Sequence, residues 1–235
     1  MNSLVRNFTK RLPLMSRGMI CQFSAIKKPV INLDSVSKVE QELTKILKSE
    51  AKETVDDPEI EESIQSFLTE SGWALCKDGK STRVSLQKTV ENTKVSVIFE
   101  ARAPSAEEEE NQEEQSEENE HDDRDMIEFW ALLDKGVENK VLVQLMLTGG
   151  EINISRLTVT SRPEAILNAE SESVYAYPGP EFETLDEELQ HKISRYLRNF
   201  GIDDALGDAI RDISYNEENK LYRNFLEDFA SVIKP

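Results

Sequence analysis

Cysteine and histidine are scarce in this sequence, which contains two of each. Cys21 lies in a basic leader, described below, so Cys76 has no partner for an intramolecular disulfide in the rest of the chain. A chain without disulfides fits a reducing compartment. Nucleophilic catalysis by Cys76 would need a histidine base, and only His121, in an acidic run, and His191, on a predicted helix surface, are available. We therefore predict no catalytic residues and no enzyme.

The sequence also has no long apolar run and no calcium-loop motif. No stretch approaches the roughly 20 apolar residues of a membrane-spanning helix, so no transmembrane segment is predicted. The acidic residues do not follow the order of a calcium loop, whose glycine is missing. We expect no cofactor and no specific metal site. Weak calcium association by charge alone, as in a low-affinity calcium buffer, is the alternative function that the composition leaves open.

Acidic residues are absent from the first 28 positions, although the whole chain has a net charge of −18. Hydroxyl and apolar residues alternate there with bases, a composition typical of a mitochondrial presequence. A secretory signal would need an unbroken apolar run, which Arg11 and Arg17 interrupt. We predict a presequence over residues 1–28. Its bases are Arg6, Lys10, Arg11, Arg17, Lys27 and Lys28.

The remainder of the chain is strongly acidic. Six of the 28 Lys and Arg residues lie in the leader, which leaves 22 bases against 46 acids, or a formal charge of −24. Such a charge repels nucleic acid and attracts basic proteins over about 8 Å at physiological salt. We therefore predict basic protein partners and no direct nucleic-acid binding.

An acidic run interrupts the middle of the chain, and from Glu107 to Asp123 it contains no Leu, Ile, Val or Phe. Such a segment buries too little apolar surface to offset its ordering entropy, which predicts a disordered acidic loop over 105–125. Either this loop or a fixed acidic face on the last helix is expected to bind basic partners. The predicted partner-binding residues are Glu107, Glu108, Glu109, Glu110, Glu113, Glu114, Glu117, Glu118, Glu120, Asp122, Asp123, Asp204, Asp208 and Asp212.

Apolar periodicity predicts helices at both ends of the chain. The first covers about 37–53, with a capping box at Ser37 and Glu40, and the second begins at Pro58 after Asp57 as N-cap. A second capping box at Thr184 and Glu187 opens a helix that ends near Gly201. Asp203 caps the last helix, which runs to about Ile233.

Between the helices the period changes to 2, and seven strands are predicted: 73–77, 80–90, 93–103, 126–135, 140–148, 151–160 and 171–177. Asp78–Gly79 and Gly149–Gly150 indicate two-residue hairpins, and a slip at Ser155–Arg156 suggests a bulge. Short connections predict an antiparallel meander. The expected fold is therefore α+β, a single acidic domain over 34–235.

The apolar stripe of the first helix has heptad spacing, so it could pack against a neighbouring subunit, against the C-terminal helix, or on its own sheet. We predict a subunit interface formed by this stripe and the last helix. Its residues are Val39, Leu43, Ile46, Leu221, Phe225 and Phe229.

The stretch from Tyr177 to Gln190, YPGPEFETLDEELQ, resembles the mitochondrial acidic matrix protein family, also called the mitochondrial glycoprotein family. Its animal member is known as the receptor for the globular heads of a complement component. The resemblance extends through Tyr196-Leu197 and Phe200-Gly201-Ile202 to the terminal helix. It also covers the order of the elements from about residue 37, the leader and the position of the acidic run.

The resemblance implies a strongly twisted seven-stranded antiparallel sheet flanked by terminal helices, a ring-shaped homotrimer and residence in the mitochondrial matrix. It implies no known catalytic site, and links to mitochondrial ribosome biogenesis and translation, oxidative phosphorylation and chaperone-like protein binding. Together with the charge, it predicts a non-enzymatic acidic adaptor or chaperone for basic ribosomal proteins or respiratory-chain subunits.

Overall fold

The computed structural model describes residues 33–77, 79–101, 126–169 and 177–233. In these ranges six antiparallel strands form one sheet in the order β1-β2-β3-β4-β5-β6, so each strand pairs with its neighbour in sequence. The strands are β1 (Ala74–Lys77), β2 (Arg83–Val90), β3 (Thr93–Glu100), β4 (Ile127–Asp134), β5 (Lys140–Thr148) and β6 (Glu151–Thr160). The helices are α1 (Leu33–Glu53), α2 (Pro58–Ser71), α3 (Pro163–Leu167), α4 (Glu187–Arg198) and α5 (Asp204–Val232), with a 3₁₀ turn at Phe182–Thr184.

The sheet has one deeply buried face, because apolar side chains alternate along its strands. Buried residues on this face include Leu86, Val97, Phe129 and Leu145, and α2, α4 and α5 supply the side chains that cover them. The α+β prediction and the antiparallel meander are thereby confirmed. Of the predicted seventh strand, residues 171–176 lie outside the described ranges, and Tyr177 is not in a strand.

Two of the turn predictions are confirmed and one is wrong. Gly149 and Gly150 have φ of +57° and +85° and join β5 to β6 as a two-residue hairpin. Ser155 is the extra residue of a bulge, since Gln144 pairs with Arg156 and Leu145 with Ile154. The β1–β2 connection is longer than predicted, because β1 ends at Lys77 and β2 begins only at Arg83. Ser81 accounts for the later start, since its Oγ accepts a hydrogen bond from Arg83 N at 3.1 Å.

The caps of α2 and α5 agree with the sequence. Asp57 accepts a hydrogen bond from Glu59 N, Pro58 is the first residue of α2, and Gly72 ends it with φ of +71°. Asp203 caps α5 by accepting from Leu206 N. Such side chains satisfy the free N–H groups of a helix N-terminus.

Both predicted capping boxes are wrong. Ser37 lies inside α1, which begins at Leu33, and a single cap worth about 1 kcal/mol does not by itself decide where a helix starts. Asp186, not Thr184, caps α4, because its carboxylate accepts from the backbone of Glu188 and Leu189. The Thr184 hydroxyl instead donates to Glu181 O.

The 29 residues of α5 divide between two tasks. The N-terminal half lies on the sheet and approaches it closely at Gly207, where a Cβ would lie 2.8 Å from Leu147 Cδ1. The C-terminal half packs against α1 through a separate small core. That core comprises Leu47, Leu226 and Ala230, with Leu43, Ala51 and Ile233 at its edge.

Two short segments contact the opposite face of the sheet. The Arg83 guanidinium of β2 donates to Asn168 Oδ1 and to Leu167 O, which fixes the end of α3. The Tyr177-Pro-Gly-Pro180 segment runs beside β6, where the Thr158 hydroxyl donates to Pro178 O at 2.5 Å. Helix α3 was not predicted from apolar periodicity. Its sequence signal is Pro163, which stands at the start of the helix.

Candidate functional site

Helix α2 lies against α5, and both helices have exposed acids. Helix α2 contains four glutamates and no Lys or Arg. Its apolar residues Ile60, Ile64, Phe67 and Leu68 pack on the core, which places the remaining side chains outward. Ser63 Oγ donates to Asp212 Oδ2 at 2.8 Å and joins the two helices. We call the acidic surface of the two helices the acidic face and define it by Asp57, Glu59, Glu62, Asp208 and Asp212.

The acidic face is only partly neutralised by the chain's own bases. Arg211 Nη1 lies 3.2 Å from Asp208 Oδ1. In the part of the chain that the structure describes, Asp57, Glu59 and Glu62 take part in no ion pair. Carboxylates one helical turn apart repel each other, so a cation that binds between them relieves this repulsion.

A half-buried network of hydrogen bonds and ion pairs joins α2 to α5 and β1 beside the acidic face. Glu61 accepts a hydrogen bond from Asn216 Nδ2 at 2.7 Å, and Lys220 lies 3.7 Å from the same carboxylate. These contacts, with the Asn216 bond as the largest contribution, lower the pKa of Glu61 below its ordinary value of 4.5. Glu217 is almost fully buried and pairs with Lys220 and with Lys77 of β1. Burial lowers the pKa of Lys77, and the charge of Lys220 adds to the effect.

The predicted partner-binding residues are only partly placed by the structure. The acidic run at 107–123 lies outside the described residues. Asp204, Asp208 and Asp212 lie on α5 at intervals of four residues, and the latter two belong to the acidic face. The acids of α2 were missed, although a signal was present, because the sequence from Asp56 to Ser71 contains six acids and no base.

The predicted interface residues fall into three groups. Val39 and Ile46 of α1 are 60% and 64% exposed. Leu43 packs against the small core that α1 shares with α5 in the same chain. Phe225 and Phe229 are exposed side chains of α5 whose ring centroids are 5.8 Å apart, and Leu221 lies on the same side of the helix, half-buried against the main core.

An apolar groove runs along this side of α5, opposite the β1–β2 connection. Its volume is about 600 Å³. We define the α5 groove by Leu221, Phe225, Phe229 and Val232 on the helix and by Lys80 and Thr82 on the opposite wall. The groove is a candidate contact site for another molecule, because four apolar side chains of one helix line it side by side.

Of the residues considered for catalysis, Cys76 and His191 are described by the structure, and His121 lies outside the described ranges. Cys76 lies exposed on the edge strand β1, and its Sγ donates to Ala74 O at 3.9 Å. His191 is exposed on α4. Within the described ranges no group of three or more His, Cys, Asp or Glu residues has a metal-binding arrangement. No described helix is both long and apolar enough to cross a membrane.

Comparison with known proteins identifies the family. The family model described as mitochondrial glycoprotein matches residues 43–233, which is most of the chain. The chain belongs to the mitochondrial glycoprotein family. Membership of this family implies a mitochondrial location, and it confirms the resemblance drawn from the Tyr177–Gln190 segment.

Solved structures similar to this mitochondrial glycoprotein family member agree in fold. One is a Leishmania major protein described as hypothetical, of unknown function and a sequence homologue of human p32, with a TM-score of 0.62 and 16% identity. Another is the Trypanosoma brucei p22 protein, with a TM-score of 0.60 and 16% identity. Each match covers 83% of this chain and 99% of the other. At this identity the likeness supports the fold alone.

Proposed function

We propose that this protein is a non-enzymatic adaptor of the mitochondrial matrix that binds basic proteins through its acidic surface. The observation that carries the proposal is α2, a folded helix with four outward or half-buried glutamates and no Lys or Arg of its own. An isolated surface pair is worth at most about 1 kcal/mol, so useful affinity requires many contacts at once. Basic ribosomal proteins and unassembled respiratory-chain subunits have the matching charge.

Assembly into a homotrimer would strengthen such binding. Three copies of the −24 chain would present 3 × −24 = −72 formal charges, and contacts that are weak singly add through effective concentration. The exposed Val39 and Ile46 on α1 support an interface there. We include the ring-shaped homotrimer in the proposal, with support for mitochondrial translation, ribosome biogenesis and oxidative phosphorylation as the expected roles of its clients.

The test is capture of basic proteins by purified variants, with elution in salt steps. One variant replaces residues 106–124 with a Gly/Ser linker, and another carries Glu59→Gln, Glu62→Gln, Asp208→Asn and Asp212→Asn. We expect the variant with the four substitutions in the acidic face to lose most of its ribosomal-protein binding at physiological salt. A control variant that neutralises Glu187 and Glu188 on α4 removes charge elsewhere and should retain it.

The outcomes separate the two acidic regions. If only the linker variant loses binding, the acidic run and not the acidic face is the working surface. If intact protein captures no basic protein at low salt, the adaptor proposal is wrong. Calorimetry at millimolar Ca²⁺ tests the alternative calcium-buffer function independently, since a buffer requires measurable heat of binding.

A further inference from the structure

The α5 groove is an apolar surface for which the described part of the chain supplies no cover. Phe225 and Val232 are 58% and 80% exposed, and Phe229 completes a row with spacings of four and three residues. Leu226 and Ala230 lie on a different side of the same helix and pack against α1. Burial of apolar side chains is the dominant favourable contribution to most protein association, so this row can anchor another molecule.

The rim of the groove is acidic. Glu218 and Asp228 line it. Lys80 is the cation of the opposite wall, and it is engaged in an ion pair with Asp228. Within the described ranges Glu218 takes part in no ion pair. A matching occupant therefore needs an apolar stripe flanked by positive charge.

The dimensions of the groove favour a helix as the occupant. Its lining residues extend from Glu218 to Val232 on one straight helix, which corresponds to about 21 Å at 1.5 Å per residue. A helix of about four turns has the same length and presents apolar residues at three- and four-residue intervals. The ridge of Phe225 and Phe229 repeats at that interval, whereas a strand would present its side chains every second residue.

We propose that the α5 groove binds a basic amphipathic helix of a client protein, with the apolar stripe of that helix on Phe225, Phe229 and Val232 and its Lys or Arg residues toward Glu218 and Asp228. This inference rests on the proposed adaptor function and specifies which feature of a basic client is recognised. It assigns Phe225 and Phe229 to clients, and it leaves the exposed Val39 and Ile46 of α1 for contacts between copies.

Two synthetic 14-residue peptides of identical Leu and Lys composition test the proposal. One has its leucines on a single helical face, and the other has the same residues in scrambled order. We expect fluorescence anisotropy with the full chain from residue 29 onward to show at least tenfold tighter binding of the amphipathic peptide. Phe225→Ser should abolish this preference, whereas Tyr215→Ser, which removes an exposed α5 aromatic outside the groove, should leave it intact.

A second variant and a mass measurement complete the experiment. Glu218→Gln with Asp228→Asn leaves the apolar row in place and should weaken binding of both peptides while reducing its salt dependence. Light scattering should give the same assembly mass for Phe225→Ser and for the unaltered chain.

Each contrary result has a distinct meaning. Equal binding of both peptides would overturn the groove proposal and leave the adaptor function standing. A lower assembly mass in Phe225→Ser would overturn it by showing that a second copy covers the groove. Binding of neither peptide, at any salt concentration, would contradict both proposals.

Discussion

Two glycines with similar backbone conformations differ in what surrounds them. Gly179 and Gly136 have φ of +86° and +74°. A Cβ on Gly179 would overlap the carbonyl oxygen of Leu157 in β6, whereas a Cβ on Gly136 would meet nothing within 4 Å. The close approach of the Tyr177–Pro180 segment to β6 therefore depends on the missing side chain of Gly179.

Gly179→Ala should consequently destabilise the protein more than Gly136→Ala. The left-handed conformation alone costs an alanine about 1–2 kcal/mol, which sets the expected loss at Gly136. At Gly179 backbone displacement adds to that cost, and we expect a total of about 3 kcal/mol or more. Urea unfolding of the two variants measures the difference, and equal losses would mean that the segment does not press on β6 in solution.

Glu61 should make stability depend on acid pH. Its folded-state pKa is lowered, chiefly by the hydrogen bond from Asn216. Its contribution is therefore fully present above its ordinary pKa of 4.5 and is lost as the pH falls through the lowered value. The cost of Glu61→Gln should be larger at pH 7 than at pH 3.

The measurement is the free energy of unfolding at both pH values, with Glu59→Gln as the control for removing an exposed carboxylate from the same helix. If Glu61→Gln costs the same at pH 7 and pH 3, the bond to Asn216 does not distinguish the charged from the neutral carboxyl group.

At the scale of elements, two ion pairs join α5 to the β1–β2 hairpin and differ in burial. Lys77 pairs with Glu217, whose side chain is 5% exposed, whereas Lys80 pairs with Asp228, where both side chains are 62% exposed. Removing one member of a buried pair leaves an uncompensated charge, while an exposed pair contributes little. The two lysines therefore offer a matched comparison.

Lys77→Met should destabilise the protein by about 1–3 kcal/mol, because Glu217 then keeps only Lys220 as a partner. Lys80→Met should cost less than about 0.5 kcal/mol. Thermal unfolding of both variants in the same buffer tests the ranking. A larger loss at Lys80 would show that the exposed pair, and not the buried one, anchors the hairpin.

The sequence predicted those elements whose signals are local and strong. The cap of α2 at Asp57–Pro58, the Gly149–Gly150 turn and the Ser155 bulge depend on a few adjacent residues, and the structure contains all three. The capping box at Thr184 failed because neighbouring capping candidates compete: Asp186 lies two residues after Thr184 and provides a carboxylate acceptor. Helix α3 was missed because five residues are too few to show a helical period.

The candidate site was harder to predict because it depends on which helices become neighbours. The acids at Asp208 and Asp212 were predicted from their four-residue spacing on one helix. Their extension by Glu59 and Glu62 follows from the packing of α2 on α5, a contact between segments about 150 residues apart, as the Ser63–Asp212 bond illustrates. Single-helix periodicity contains no information about such a pairing.

At the scale of the whole molecule, the net negative charge has two opposite effects on association. A net charge of −18 favours basic partners but opposes the close approach of identical copies. A homo-oligomer of this chain therefore needs an apolar contact strong enough to offset that repulsion. In the described part of the chain α1 offers one: Val36, Val39 and Ile46 are all more than 40% exposed.

Substitution of Val39 and Ile46 by serine should accordingly lower the assembly mass. The two side chains lie seven residues apart on one stripe of α1, so a neighbouring helix can contact both. Because they are exposed within the chain, their loss should leave the unfolding free energy of the dissociated monomer almost unchanged, whereas Leu43→Ser should lower it by removing a contact of the α1–α5 core.

Sedimentation at several protein and salt concentrations separates these effects. High salt should favour the assembly of the unaltered chain by screening its acids, and the double variant should remain smaller at every salt concentration. Unaltered mass in the double variant would mean that copies associate through another surface, and the α5 groove would then be the next surface to test.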